Sequence, residues 1–386
     1  MRSVGLFAGI GGIEVGLARA GHRTLLLSEI LPPARAVLEA RLPGIELVGD
    51  VRKLRSLPAG VELISAGFPC QDLSQAGMTR GLDGDRSSLV AEVFRLAART
   101  KPKWILLENV PFMLQLRHGD AMRRIVDALQ ELRYRWAWRV VDTLGFGLPQ
   151  RRERVFLLAS READPADVLL SDDAKLERAA TDIGRLAHGF YWTEGRGGLG
   201  WAVDAVPTLK NGSSIGIPSP PAVLMPDGRI VKPDIRDAER LQGFPENWTS
   251  PAEAVAKPGL RWSLVGNAVS VPVAAWIGEK LNRPGRYDPM LDRGFPETGK
   301  LPRAARHDGK RRFAVNIGAD PLGLKAPSLA SFLHYTGVML SARATAGFLS
   351  RTRVARLKFP PGFIAAVEAH LRYVDLQSQM PEKRVA

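Results

Sequence analysis

The segment VELISAGFPCQ, residues 61–71, joins an apolar run to the only cysteine of the 386-residue chain. Residues 61–66 are short, apolar and rich in β-branched side chains, and glycine and proline follow, which predicts a buried strand that ends in a sharp turn. Cys70 then lies at the carboxyl end of this strand, where open α/β sheets bind ligands. A lone cysteine can also be a small buried core residue. Because the flanking Gly67, Pro69 and Gln71 are typical of loops, we instead expect a presented thiol, whose thiolate is a nucleophile.

A glycine-rich turn near the N-terminus predicts the entry to a cofactor site. Residues 3–7 are a short strand-like run, residues 8–12 read AGIGG, and residues 13–20 place apolar side chains at helical spacing. The glycines let a ligand approach the backbone where a Cβ atom would exclude it. The dinucleotide fingerprint G-x-G-x-x-G requires glycine at position 14, where this chain has Glu14. For this motif alone, a tight turn without a ligand is the alternative.

Three further predicted strands each lead to an acidic residue. The strands at 24–27, 46–48 and 103–107 precede Glu29, Asp50 and Glu108. Glu29 follows Gly12 by 17 residues, close to the spacing at which an acidic residue reaches ribose hydroxyls; otherwise it is an exposed carboxylate at a helix start. Because the carboxyl ends of parallel strands share one edge, we expect these groups to surround one site. The pattern predicts an α/β fold, a Rossmann-like, mixed, mostly parallel sheet with helices on both faces.

An arginine pair follows in the segment QRRERVFLL, residues 150–158. Arg152 and Arg154 are two residues apart on a predicted strand, so both side chains point to one face and can enter one site. The alternative is a surface strand whose arginines pair with neighbouring acidic residues.

Two long stretches lack regular periodicity. Residues 75–88 are polar and rich in glycine, which predicts a mobile lid over a substrate. Residues 160–233 are dominated by glycine, proline and polar residues and predict a module that binds through loops. A basic tail follows residue 284, with helix-like runs at 329–333 and 363–371, and no chemistry is assigned to it.

The composition points to a polyanionic partner. The formal net charge is +14, with 45% hydrophobic and 24% charged residues, as in a globular protein that binds nucleic acid. No apolar run approaches the roughly 20 residues of a membrane span, and no signal peptide is evident, so we expect a cytoplasmic protein without membrane contact. One cysteine excludes an intramolecular disulfide, and the six scattered histidines predict no metal site.

Four motifs in this order resemble those of the cytosine carbon-5 DNA methyltransferases. They are LFAGIGG at 6–12, GFPCQDLS at 67–74, ENV at 108–110 and QxRxR at 150–154. The resemblance spans about residues 3–281 and implies a methyltransferase sheet, S-adenosylmethionine as the cofactor and no metal. One departure is Gly5, where many members carry an acidic residue, so one contact to the methionine end of the cofactor is in question.

The resemblance also implies a role for each site residue. Cys70 adds to carbon 6 of a flipped cytosine, and a protonated Glu108 holds ring nitrogen 3. Arg152 and Arg154 contact the base or its phosphates and keep Cys70 ionised. Glu29 binds the ribose hydroxyls and Asp50 the adenine amino group. The implied cofactor-binding residues are Phe7, Gly9, Ile10, Gly11, Gly12, Glu29, Asp50, Leu89 and Asn267.

These assignments divide the chain into a catalytic domain, a target-recognition domain and an extension. The catalytic domain covers residues 1–159 and is completed by 264–283, recognition falls on 160–263, and the basic extension is 284–386. The expected partner is double-stranded DNA, with a restriction endonuclease acting separately and the enzyme itself a monomer. The alternatives are an RNA cytosine-5 methyltransferase, a dinucleotide-dependent oxidoreductase and a catalytically silent DNA-binding regulator.

Overall fold

The structure, a computed structural model, describes residues 1–68, 89–174, 176–210 and 220–379. Cys70 and the lid predicted at 75–88 lie outside these described residues. Within the same ranges, no helix is long and apolar enough to cross a membrane.

The strands of the described residues are, in chain order, β1 (Arg2–Leu6), β2 (Arg23–Ser28), β3 (Glu46–Val48), β4 (Leu63–Gly67), β5 (Trp104–Asn109), β6 (Arg135–Asp142), β7 (Gln150–Arg151), β8 (Glu153–Ser160), β9 (His188–Phe190), β10 (Ala202–Val203), β11 (Val206–Pro207), β12 (Ala222–Leu224), β13 (Ile230–Lys232), β14 (Asp292–Gly294), β15 (Ala304–His307), β16 (Arg312–Val315) and β17 (Val338–Met339). The α-helices are α1 (Gly12–Arg19), α2 (Pro32–Arg41), α3 (Leu89–Thr100), α4 (Asp120–Glu131), α5 (Ala166–Leu169), α6 (Ile235–Leu241), α7 (Leu260–Asn267), α8 (Val271–Asn282), α9 (Leu329–Phe332), α10 (Ala342–Arg353) and α11 (Phe363–Gln379).

A ten-stranded mixed sheet organises the chain. One half consists of the parallel strands β3-β2-β1-β4-β5, and all five strands predicted from the apolar runs are present there, with ends within two residues of the prediction. Their carboxyl ends meet at one edge. The other half, β8-β6-β15-β16-β14, is antiparallel throughout. The mixed α/β sheet is thus confirmed, whereas its predicted mostly parallel character applies only to the half that carries the predicted site residues.

Helices cover both faces of this sheet. On one face, α1 and α8 pack together and bury Leu17 and Ile277 against Leu106 of β5. On the opposite face, α3 and α4 bury Phe94 and Ile125 against the central strands. Apolar side chains at helical spacing form these contacts, as the sequence predicts. The two layers hold the carboxyl ends of β1, β4 and β5 in fixed positions.

A second, five-stranded sheet has the order β10-β9-β12-β13-β17. Its first four strands belong to the stretch predicted to be rich in loops, and each is only two or three residues long. The short strand β11 pairs in parallel with β7, and these two strands form a small sheet of their own, in which β7 directly precedes β8 of the large sheet. The loop-rich region therefore has a small core of its own and a fixed attachment next to Gln150.

The tail, predicted as a basic extension of unknown role at 284–386, contributes to both sheets. Strands β14, β15 and β16 continue the large sheet, with β15 paired to β6. Strand β17 closes the edge of the second sheet, and α10 and α11 pack Phe348 and Phe363 against Phe190 of β9. The helix-like runs at 329–333 and 363–371 correspond to α9 and α11.

Candidate active site

A small cavity of about 40 Å³ opens at the carboxyl ends of β1, β4 and β5. Six of its lining residues come from four separate segments of the chain: Phe7, Gly9, Gly12, Gly67, Glu108 and Asn267. The cavity therefore lies at the sheet edge where the predicted groups were expected to meet. Within the described residues, no three His, Cys, Asp or Glu side chains are grouped as they would be around a metal ion.

The glycine loop has a backbone that side chains would obstruct. Gly9 has φ +56° and open space where its Cβ atom would be, so a ligand can approach the backbone there. At Gly12 a Cβ atom would lie 2.3 Å from the carbonyl oxygen of Val269, so glycine is required for the close contact between α1 and the turn before α8. Phe7 adopts φ +56°, a conformation that costs free energy for a non-glycine residue and occurs preferentially at ligand sites.

Glu29 fixes the shape of this loop. Its Oε2 accepts a hydrogen bond from the Gly9 backbone N–H at 2.8 Å, and its Oε1 accepts one from the Leu31 N–H at 2.8 Å. The carboxylate is buried at the end of β2. Each carboxylate oxygen has a second lone-pair site, so Glu29 can organise the loop and still accept from a ligand hydroxyl.

Asp50 lies after β3 and caps a short 3-10 turn. Its carboxylate accepts from the backbone N–H of Arg52 at 3.0 Å and pairs with the Arg52 guanidinium at 2.7 Å. These hydrogen bonds lower the pKa of Asp50 below its ordinary value. The carboxylate is therefore ionised at neutral pH, and both of its oxygens accept hydrogen bonds from Arg52.

Five predicted cofactor-binding residues do not line the cavity: Glu29 and Asp50, described above, and Ile10, Gly11 and Leu89. Ile10 is buried in a core cluster with Phe244 and Trp248, and its carbonyl accepts from the Trp248 indole at 2.9 Å. Gly11, at φ +87°, faces the leucines of α2. Leu89 begins α3 and packs, half-buried, against the same core cluster as Phe7. Ile10 is therefore a core side chain whose contribution to a ligand is limited to its backbone.

Glu108 is the buried acid of the site. It pairs with Gly67 across β5 and β4, and a Cβ atom at Gly67 would lie 3.2 Å from Glu108 Oε2. Glu108 Oε1 is 3.2 Å from Arg154 Nε. Burial raises the pKa of the Glu108 carboxyl, while the charges of Arg154 and Arg152 act in the opposite direction. Glu108 is thus a buried carboxyl in the cavity wall that burial makes more inclined to hold a proton.

Arg152 lies buried behind the turn that carries Asn267. Its guanidinium is fully buried and donates to the carbonyls of Leu209 at 3.1 Å, Gly266 at 3.0 Å and Ala268 at 2.6 Å. Burial first, and then the neighbouring Arg154, lower its pKa. Nη1 and Nη2 of Arg152 thus hold Leu209 and the turn that carries Asn267, while its buried Nε has no hydrogen-bond partner within the described residues. The contact of Arg152 with a base or phosphate stays a prediction.

Two residues that the sequence did not single out also position the site. Asn109, next to Glu108, donates from Nδ2 to the carbonyl of Phe68 at 2.9 Å, which holds the chain two residues before Cys70. Gln150 donates from Nε2 to the carbonyl of Leu241 at 2.7 Å. In both cases the available signal in the sequence was a polar residue at the end of a predicted strand. Such a side chain, where it is buried, is expected to be hydrogen-bonded.

The structure shows an α/β fold with a cavity bordered by a glycine loop and a buried carboxyl group. A family model described as C-5 cytosine-specific DNA methylase matches residues 1–194. This chain belongs to that family of DNA cytosine-5 methyltransferases, which use S-adenosylmethionine as the methyl donor.

Individual relatives agree with this assignment. The chain is 46% identical to the Type II methyltransferase M2.BsuMI of Bacillus subtilis (strain 168), over 95% of this chain and 97% of that protein. It is 30% identical to the Type II methyltransferase M.NgoBI of Neisseria gonorrhoeae, over 70% of this chain and 90% of that protein. Among solved structures, the fold is similar to S. pombe Dnmt2 methyltransferase, with a TM-score of 0.54, 17% identity and coverage of 73% of this chain and 98% of that chain.

Proposed function

We propose that this chain methylates a cytosine flipped out of duplex DNA through a covalent adduct with Cys70, with Glu108 as the proton donor. The observation that carries the proposal is the position of Glu108, a buried carboxyl paired with Gly67, only three residues before Cys70 in the chain. Cys70 therefore follows β4 in the chain, and Glu108 lies on the adjacent parallel strand β5.

The reaction needs both groups because carbon 5 of cytosine is a weak nucleophile. The Cys70 thiolate forms a bond to carbon 6, and the electron pair of the 5,6 double bond moves toward ring nitrogen 3. Glu108 donates its proton there, which neutralises the developing charge. Carbon 5 then acts as the nucleophile toward the methyl group that S-adenosylmethionine would supply, and breaking the bond from that methyl group to sulfur would leave S-adenosylhomocysteine. Loss of its proton to a base, expulsion of the Cys70 thiolate and return of the nitrogen proton to Glu108 restore the ring.

The residues around the cavity fit S-adenosylmethionine. The open space at Gly9 admits a ligand against the backbone, and the carboxylates of Glu29 and Asp50 follow β2 and β3 on the adenosine side. We assign the ribose hydroxyls to Glu29 and the adenine amino group to Asp50. Phe7 and Asn267 border the same cavity. The bound cofactor supplies an electrophilic methyl group, and this chain binds and orients it.

DNA recognition is assigned to the second sheet and its loops, within residues 160–263, together with the tail helices packed on it. The net charge of +14 favours phosphate contacts that offset the few kcal/mol needed to flip a base. Relatives are named Type II methyltransferases, so we propose a separately acting restriction endonuclease as partner and a monomeric, cytoplasmic enzyme. The enzyme needs no metal in this scheme.

The test is the Cys70→Ser variant. Its hydroxyl is hardly ionised at neutral pH, so methylation should be lost while S-adenosylmethionine binding, measured by calorimetry, stays within about threefold of wild type. Duplex DNA with 5-fluorocytosine should trap the wild type covalently, because fluorine cannot leave as a proton does. Trapping or turnover by the serine variant would refute the nucleophile assignment, and equal methylation of an RNA duplex of the same sequence would refute DNA as the specific substrate.

A further inference from the structure

Glu14 is a buried acid in the cavity wall that the proposed reaction does not use. It lies in the first turn of α1, is 3% exposed and lines the same cavity as Gly9, Glu108 and Asn267. Its Oε2 has no hydrogen-bond partner within the described residues, and its Oε1 is 3.4 Å from Ser65 Oγ. A buried carboxylate oxygen without a donor is destabilising, so its position in a ligand cavity calls for a donor from the ligand.

Gly5 makes room for this carboxylate. A Cβ atom at position 5 would lie 2.1 Å from Glu14 Oε1 and 2.9 Å from its carboxyl carbon. No side chain other than hydrogen fits on β1 while Glu14 keeps its position. Gly5 and Glu14 are therefore one feature of the site. Gly5 on β1 leaves a space, and Glu14 on α1 fills that space with its carboxylate.

The surroundings of Glu14 favour a positively charged ligand group. Within the described ranges, the groups that act on its charge are its own backbone N–H, the Ser65 hydroxyl and the carboxylate of Glu29, and none of them is cationic. Glu108 adds a second carboxyl to the cavity wall. Burial raises the pKa of Glu14 to about 7. A cation in the cavity would restore the ionised form, since opposite charge favours it.

We propose that Glu14 accepts a hydrogen bond from the α-ammonium group of the methionine portion of S-adenosylmethionine. This inference rests on the proposed function for the identity of the cofactor. Of the two cationic groups of that molecule, the sulfonium carries no hydrogen on sulfur, so only the ammonium can satisfy the unpartnered Oε2. With adenosine assigned to Glu29 and Asp50, the methionine portion lies toward β1 and β4, where Glu14 and Ser65 meet.

The test compares two ligands in calorimetry on the full chain. S-adenosylhomocysteine carries the ammonium without the sulfonium, and its deaminated analogue carries neither. Wild type should bind S-adenosylhomocysteine at least tenfold more tightly than the deaminated analogue. Glu14→Gln should remove most of that difference by weakening S-adenosylhomocysteine alone. The exposed Glu131→Gln, on α4, is the matched control and should leave both affinities unchanged.

A second pair of variants separates this role from a structural one. Gly5→Ala keeps the charge but displaces the carboxylate, so it should reduce the preference for the ammonium-bearing ligand as Glu14→Gln does. Gly5→Asp/Glu14→Ala returns a carboxylate to the same space from β1 and should restore the preference.

The outcomes distinguish this inference from the proposed function. If Glu14→Gln weakened the binding of both ligands equally, the Glu14 assignment alone would be overturned. The same holds if the variant kept the wild-type preference for S-adenosylhomocysteine over its deaminated analogue. Failure of wild type to bind S-adenosylhomocysteine at all would instead overturn the proposed cofactor site, and the Glu14 assignment with it.

Discussion

Two buried carboxyl groups border the cavity, and their surroundings separate their functions. Glu108 has an arginine within ion-pair distance and lies next to the strand that leads to Cys70. Glu14 has an unpartnered oxygen and lies against Gly5. Burial raises the pKa of both. Two acids in one cavity can therefore perform different tasks, one in proton transfer and the other in ligand binding.

Replacing Glu108 should slow the chemistry far more than it weakens binding. In Glu108→Gln the amide can occupy the site but cannot supply a proton, so the single-turnover methylation rate should fall 100-fold or more, as general acids contribute 10²–10⁴. DNA and S-adenosylmethionine affinities should change less than fivefold. Asp50→Ala is the contrasting variant and should raise the cofactor dissociation constant with a smaller effect on the saturated rate. Equal loss of cofactor binding in both variants would contradict this division of roles.

Glu14 should make the fold more stable under mildly acidic conditions. Its pKa is about 7 in the folded chain, above the ordinary 4.5, so the folded state holds the proton more tightly. The resulting contribution to the free energy of unfolding is about 3 kcal/mol. It is fully present below pH 4.5 and is lost as the pH rises through about 7. Urea unfolding of wild type and Glu14→Gln at pH 5 and pH 8 measures the difference. Parallel pH profiles for the two proteins would contradict it, because Glu108 is common to both.

Among the elements, the turn between α7 and α8 depends on one side chain from the catalytic sheet. Arg152 donates to carbonyls at residues 266 and 268 of this turn, and to the carbonyl of Leu209 in the recognition region. The turn carries Asn267 at the cavity and Val269 against Gly12. A single buried guanidinium thus joins cofactor site and recognition region.

Arg152→Met should leave these three carbonyls without donors. At about 1–3 kcal/mol for each unsatisfied buried group, we expect a loss of several kcal/mol in unfolding free energy and a raised cofactor KM. The saturated rate should change less than KM, because Glu108 is held by β5 itself. Arg151→Ala, an exposed neighbour, is the control. Full stability together with a selective loss of DNA binding would support the predicted substrate contact.

The elements that the sequence predicts are those with local causes. Strand β4 and the glycine loop follow from consecutive residues, and α1 follows from helical spacing. The partners of Arg152 lie 57, 114 and 116 residues away in the chain, so no local pattern indicates them. Strands of two to four residues, such as β15 and β17, carry too little alternation to predict, because strand formation depends on the neighbours with which they pair.

At the scale of the whole molecule, the tail completes the second sheet and its core. Phe348 and Phe363 fill its core against Phe190. Arg351 of α10 donates from Nε to the carbonyl of Glu194 at 2.9 Å and from Nη2 to that of Trp192 at 2.6 Å. The loop after β9 is therefore held in place from the far end of the chain. If this loop reads DNA, its geometry depends on both segments.

A graft experiment should require both segments to transfer target specificity. Replacing residues 160–263 alone with those of a relative of known target should leave a mismatched core around Phe190, since truncating one buried aromatic residue already costs about 3–5 kcal/mol, and little methylation should be recovered. Replacing residues 329–379 at the same time restores matched packing and should move methylation to the relative's site, while Cys70 and Glu108 continue the chemistry. Bisulfite sequencing of DNA from a methylation-free host reads the result. If the first graft alone moved methylation to the new site and kept wild-type stability, the tail would take no part in recognition. If the double graft still methylated the original site, recognition would lie elsewhere in the chain.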